Sequence, residues 1–231
     1  MTDLNSPKNL ESINLTRACL MHVPFDGWSQ RTLELAAQDC GFEKSDISRF
    51  LPRGVQEAVE IYARLADEEM ILSFNKAMSD METALQGTTA KIKFLIVVRL
   101  EQAHANKEVI RKTLKYLRNP KHANLSQALL FKTIDQIWKA AGDNSTDLSF
   151  YTKRGLLSAV YSATLLYFLA DNSGSIENTS AFLDRRLREV SAIPKISKPL
   201  RKKAEFMVSR MGRTASSVTK NIFKRMAKQG Y

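Results

Sequence analysis

At 231 residues with 44% hydrophobic side chains, the chain is long enough for a substantial core in one domain or two small ones. Of its 35 Lys and Arg, eleven fall in residues 195–231 against the single acid Glu205, so this tail holds +10 of the net +11 and residues 1–194 keep 24 basic against 23 acidic groups. That division argues against a general polyanion binder with basic surface spread over the fold, and Cys19 and Cys40 lack the paired spacing of a zinc site or redox dithiol.

The N-terminus has no apolar run and includes Asp3 and Glu11, unlike a secretory leader or an Arg-rich transit peptide. The expected location is the cytoplasmic face of a bacterial inner membrane, or the matrix side of a mitochondrion if a presequence has been removed. Leu10, Ile13, Ala18, Leu20 and Met21 recur at helical spacing over residues 9–21, and Pro24 and Gly27 are expected to break that helix. A second helix is predicted over 29–39, with Ser29 as N-cap and Gly41 beyond its end, and a short third from Ser45 or Asp46 that Pro52 stops by Leu51. Two short helices joined by a Gly-containing turn and packed on a first helix form a helix-turn-helix pattern. Its reading elements, residues 28–54, balance Arg31, Lys44, Arg49 and Arg53 against Glu34, Asp39, Glu43 and Asp46, a net charge of zero that argues against DNA binding.

Amphipathic helices are predicted over 55–85, over 90–118 with a stop at Asn119-Pro120, and over 125–141. Residues 142–170 then combine a polar, cap-rich opening with sixteen uncharged residues, 155–170. As a helix that run is about 24 Å long, short of a ~30 Å hydrocarbon core, so it is expected among other helices or along an apolar cavity. Ser145, Thr146 and Asp147 suit N-caps of the following helix, whereas Phe150, Tyr151 and Trp138 beside carboxylates suggest a docking patch. A further helix carries Phe182, Leu183, Leu187 and Val190, and Pro194 and Pro199 bracket a linker. No alternating β pattern or internal repeat is present, and the fold class expected is all-α.

Catalytic signatures are missing from the sequence. Glu101 and His104 make one E-x-x-H pair, half of a di-iron bundle signature, and no second pair accompanies it. Neither a nucleophile elbow nor a phosphate loop occurs, so no metal, cofactor or catalytic residue is expected. In the tail, Leu200, Ala204, Met207, Met211, Ala215, Val218, Ile222 and Met226 follow three- and four-residue steps, with Phe223 widening the stripe and Lys202, Lys203, Lys220, Lys224 and Arg225 among the basic residues around it. An apolar stripe beneath a Lys/Arg face is the pattern of a helix lying on an anionic membrane surface.

The run from Gly142 to Val190 resembles the Coq-nine family of coenzyme Q biosynthesis accessory proteins. The resemblance rests on Ala141-Gly142-Asp143, Ser145-Thr146-Asp147, Tyr151-Thr152 with Arg154, Tyr161, and Phe182-Leu183 with Arg186, and on a second patch at His22-Val23-Pro24, Gly27-Trp28 and Ala37. It implies a TetR-like fold with a vestigial helix-turn-helix (residues 1–54), a helical lipid-binding and dimerisation domain (55–194) and a basic membrane-binding tail (195–231). It also implies a non-enzymatic protein that binds an isoprenoid lipid or phospholipid and presents quinone intermediates to the di-iron hydroxylase of the ubiquinone pathway, Coq-seven. By analogy with TetR-like proteins, residues 151–170 and 175–190 would form a homodimer interface. The partner-facing patch carried over comprises Trp138, Asp143, Ser145, Thr146, Asp147, Phe150, Tyr151 and Arg154. Helical-face reasoning adds Val98, Ile134, Ile137, Val160, Tyr161, Thr164 and Phe168 as the expected cavity wall. The alternative carried by the helix-turn-helix is a TetR-type ligand-responsive repressor.

Overall fold

The computed structural model describes residues 7–80, 86–143 and 148–196, and every regular element among them is helical. Helices α1 (Pro7–Asp26), α2 (Gln30–Asp39) and α3 (Lys44–Phe50) form the helix-turn-helix. Ser29 caps α2 by accepting a hydrogen bond from the Thr32 amide at 3.2 Å, and Glu43 and Asp46 close a capping box at the start of α3. The first helix runs through the expected break to Asp26 and contains Pro24. The missing proline N–H costs at most one backbone bond in a last turn anchored by fully buried Val23. Gly27 ends the helix instead, with φ +66° and its amide on the Val23 carbonyl at 2.9 Å.

Helix α4 (Val55–Asp80) takes part in two cores. Its first turns close an N-terminal cluster in which Leu15, Cys19, Val23, Leu33, Ala36, Phe50, Val59 and Val109 are buried, Val109 coming from α6 (Lys107–Leu117). The indole of Trp28 donates to Thr113 Oγ1 of α6 at 2.8 Å, and Ser12 Oγ donates to the Phe50 carbonyl at 2.8 Å, so the polar atoms of this core are paired. Further along, Met70 and Phe74 of α4, Leu95 and Ile96 of α5 (Thr88–Gln102), Ile134 and Ile137 of α7 (Ala123–Ala140), and Leu157 and Phe168 of α8 (Leu148–Ala170) are buried. Helix α9 (Glu177–Ile196) continues through Pro194, where a linker was expected.

The helix predicted over 90–118 is divided at residues 103–106 by a single 3-10 turn. Proline and glycine are absent from this break, and its cause is tertiary. Past the turn, Lys107 donates to the Asp171 carbonyl at 2.8 Å and lies 4.4 Å from the centroid of the Phe168 ring, and His104 packs against the same ring at 6.0 Å. A compact unit ends at Arg185 and a second begins at Arg186. No helix of the described residues is long and apolar enough to cross a membrane.

Candidate functional site

A cavity of about 710 Å³ opens between α1, α4, α5, α6, α7 and α8, within the size range of sites that bury a small amphiphile. Each helix presents one face to it at helical spacing: Ser126, Leu129, Leu130 and Thr133 from α7, Ile110, Thr113, Leu114 and Leu117 from α6, and Tyr161, Ser162, Leu165 and Leu166 from α8. Leu72 and Leu166 line the cavity and are also 69% and 62% exposed, which places them at its mouth.

The wall is mainly apolar and holds one buried ionic cluster. Asp67 of α4 pairs with Arg99 of α5 at 3.1 Å, with side-chain exposures of 4% and 13%. Thr133 Oγ1 lies 3.0 Å from both Asp67 oxygens, and Arg99 Nε donates to the Tyr161 hydroxyl at 3.1 Å. Burial pushes the Asp67 carboxyl above its usual range, with Arg99 and then Thr133 opposing the shift. Burial disfavours the Arg99 charge, yet Tyr161 and Asp67 outweigh it and the guanidinium stays cationic. Burial also raises the Tyr62 phenol and keeps it neutral. Arg99 Nη1 and Gln102 Oε1 are buried without a hydrogen-bond partner among the described residues.

Of the seven residues expected on the wall, Tyr161 lines the cavity. Ile134, Ile137, Val160, Thr164 and Phe168 are buried in the packing beside it, and Val98 is half-buried. The difference is one of helical face. Periodicity identifies an apolar stripe without saying which edge meets a neighbouring helix and which meets a cavity, and α7 turns its edge of Ser126, Leu129, Leu130 and Thr133 to the hollow. Arg99, Asp67, Leu72 and Leu166 were not anticipated. For Arg99 a signal existed, since it is the lone charge in the apolar run Phe94-Leu95-Ile96-Val97-Val98-Arg99-Leu100.

The second feature is the junction of α7 and α8. Gly142, at φ +90°, closes α7 in a Schellman arrangement, the Asp143 amide donating to the Trp138 carbonyl at 2.9 Å and the Gly142 amide to the Lys139 carbonyl at 3.0 Å. Arg154 then binds both sides of the junction. Its Nη2 lies 2.7 Å from Asp135 Oδ1, its Nη1 donates to Asp143 Oδ2 at 3.3 Å, and its guanidinium carbon sits 3.4 Å from the centroid of the Phe150 ring. Lys153 adds a 2.7 Å bond to Asp143, and Lys139 one of 2.7 Å to Asp135. Burial opposes the Asp135 charge, but hydrogen bonds from Lys139 and Arg154 hold its carboxyl below the usual range.

These contacts divide the expected docking patch by exposure. Arg154 at 3% and the Asp143 carboxylate at 6% are enclosed and act within the junction. Trp138 and Phe150 are half-buried, and Tyr151 stands out at 69% exposure with its ring 5.1 Å from that of Phe150. Ser145, Thr146 and Asp147 lie outside the described residues, as do Leu200, Met207, Met211, Val218, Ile222, Phe223, Lys202, Lys203, Lys220, Lys224 and Arg225 of the tail. Among the described residues no group of His, Cys, Asp and Glu is arranged to hold a metal ion.

In the helix-turn-helix every cation of the reading elements has an acid beside it. Lys44 pairs with Glu34 at 2.8 Å, Arg53 with Glu60 at 2.8 Å, Arg31 with Asp26 at 3.9 Å and Arg49 with Asp46 at 3.9 Å.

A family model described as COQ9 matches residues 123–194, the span of α7, α8 and the junction between them together with most of α9. The mitochondrial ubiquinone biosynthesis protein COQ9 of Homo sapiens is 27% identical over 229 residues, covering 95% of this chain and 69% of its own. The protein of the same name from Xenopus tropicalis is 30% identical over 179 residues, covering 74% of this chain and 55% of its own. Among solved structures, a TetR transcriptional regulator from Nitrosomonas europaea superposes with a TM-score of 0.62 at 16% identity, covering 79% of this chain and 98% of that one. The fold is therefore TetR-like.

Proposed function

We propose that this chain, similar to COQ9 ubiquinone biosynthesis proteins over residues 123–194 and along most of its length, belongs with them and is a non-catalytic carrier that holds an isoprenoid quinone intermediate or a phospholipid and presents it to the hydroxylase of that pathway. The observation that carries this reading is the 710 Å³ cavity, whose leucine-rich wall suits an apolar chain. In this reading residues 1–54 are a vestigial DNA-binding module, residues 55–194 hold the lipid and pair with a second copy, and residues 195–231 rest on an anionic membrane at the cytoplasmic or matrix face. Tyr151, with the exposed edges of Phe150 and Trp138 and with Ser145, Thr146 and Asp147, forms the face offered to the hydroxylase, and Asp143 and Arg154 hold that face in shape.

A repressor reading has less support. Phosphate contacts supply most of the affinity of a DNA reader, and Arg31, Lys44, Arg49 and Arg53 each have an acidic neighbour within the protein. Native mass spectrometry of the protein extracted gently from its own cells tests the carrier. An isoprenoid or phospholipid retained in a defined ratio is the expected result, and repeated preparations free of lipid would overturn it.

A further inference from the structure

The balance of charge over residues 1–194 conceals a local excess. Helix α6 and the residue that caps it carry Lys107, Arg111, Lys112, Lys115 and Arg118 against Glu108 alone. Arg111, Lys115 and Arg118 are exposed. Among the described residues, neither Lys115 nor Arg118 has an acidic group within ion-pair distance. Arg111 is tied to Glu108 at 3.2 Å.

This basic face lies between two exposed apolar groups. On one side Arg111 donates to the Leu169 carbonyl at 2.7 Å, and Arg111, Lys115, Arg118, Leu166 and Leu169 line a shallow groove between α6 and α8. Leu166 and Leu114 line both this groove and the main cavity, so the groove adjoins the cavity mouth. On the other side Lys112 reaches the Phe25 carbonyl at 3.5 Å, and Phe25 at the end of α1 is 81% exposed, with Met21 one turn earlier at 73%.

We infer that the exposed face of α6, flanked by Phe25 and Leu166, is a second membrane contact, on the body of the protein, that sets the cavity mouth against an anionic bilayer. The charge complements anionic headgroups, and Phe25, Met21 and Leu166 are side chains that gain by entering the acyl boundary. Lipid would then pass from bilayer to cavity beside Leu166 without crossing water. That last step rests on the carrier reading, whereas the contact itself does not.

The test uses the full chain and flotation with vesicles of phosphatidylcholine, with or without phosphatidylglycerol. The variant Lys115→Glu/Arg118→Glu is compared with Arg31→Glu/Arg49→Glu, which makes the same change in net charge on the helix-turn-helix at positions 78% and 71% exposed. The α6 pair is expected to lose about tenfold or more in partitioning onto phosphatidylglycerol vesicles, and the control pair less than about threefold. The neutral variant Lys115→Gln/Arg118→Gln, which adds no repulsion, should lie between wild type and the charge reversal. Equal losses in the α6 and control pairs would reduce the effect to net charge and overturn the inference. So would undiminished binding by the α6 pair, or a change confined to oligomeric state by light scattering, which would make the face a protein contact. Lipid content of the same preparations separates the two readings. Lipid-free protein with α6-dependent binding would sink the carrier and leave the contact, and lipid-loaded protein indifferent to the reversal would do the opposite.

Discussion

Arg99 and Asp67 place a neutralised pair inside an apolar wall, an arrangement whose attraction offsets the loss of hydration only while both partners remain. Arg99→Gln leaves the Asp67 carboxylate buried with Thr133 as its remaining partner and is expected to destabilise the protein by about 3–5 kcal/mol, read from urea unfolding. The two aspartates respond to pH in opposite senses. Asp135 has a lowered folded pKa, so the unfolded chain binds more protons in the window between its two values. Its contribution is present above the unfolded value of about 4 and is lost as pH falls through the folded one. The deficit of Asp135→Asn should therefore be full near neutrality and fade in acid. Asp67, whose folded pKa is raised, works the other way and loses stability as pH climbs from about 4 through the folded value. Urea unfolding of Asp135→Asn and Asp67→Asn across pH checks the signs, and a deficit at Asp135 that grew in acid would reject the assignment.

At the scale of the element, two glycines of the α7–α8 region make opposite predictions. A Cβ at Gly142 would meet nothing within 4 Å, so Gly142→Ala is penalised through its φ of +90° alone, by about 1–2 kcal/mol. Gly155 lies in the helical interior of α8 with the same open space, so Gly155→Ala should stabilise by about 0.5–1 kcal/mol. Thermal melts of the two variants should move in opposite directions. Caps and stops are local chemistry, which is why Ser29, Gly41 and Pro52 marked the ends of α2 and α3 to within one or two residues. The break at 103–106 was not legible, because Phe168 and the Asp171 carbonyl, some sixty residues on, anchor it. The junction was partly legible. Its residues could be picked out from the resemblance, but burial separates Tyr151, which faces solvent, from Arg154, which is enclosed by two carboxylates and a ring. The cavity was least legible, since its ionic cluster joins α4, α5, α7 and α8 from positions that share no motif.

Within the unit that ends at Arg185, α1, α4 and α6 each serve the helix-turn-helix core on one face and the cavity on another. Arg17 and Leu20 of α1 line the cavity, while Cys19 between them is fully buried in the opposite direction and burial pushes its thiol up to about 12. A thiol so protonated and enclosed reacts with an alkylating reagent only when the core opens, whereas half-buried Cys40 provides a second, more accessible reference on the same chain. The native protein thus contains its own clock for opening. Filling the cavity should stabilise the shared helices and lengthen the trapping time of Cys19 while leaving that of Cys40 near its starting value, so occupancy can be followed by the mass of the alkylated chain without mutation.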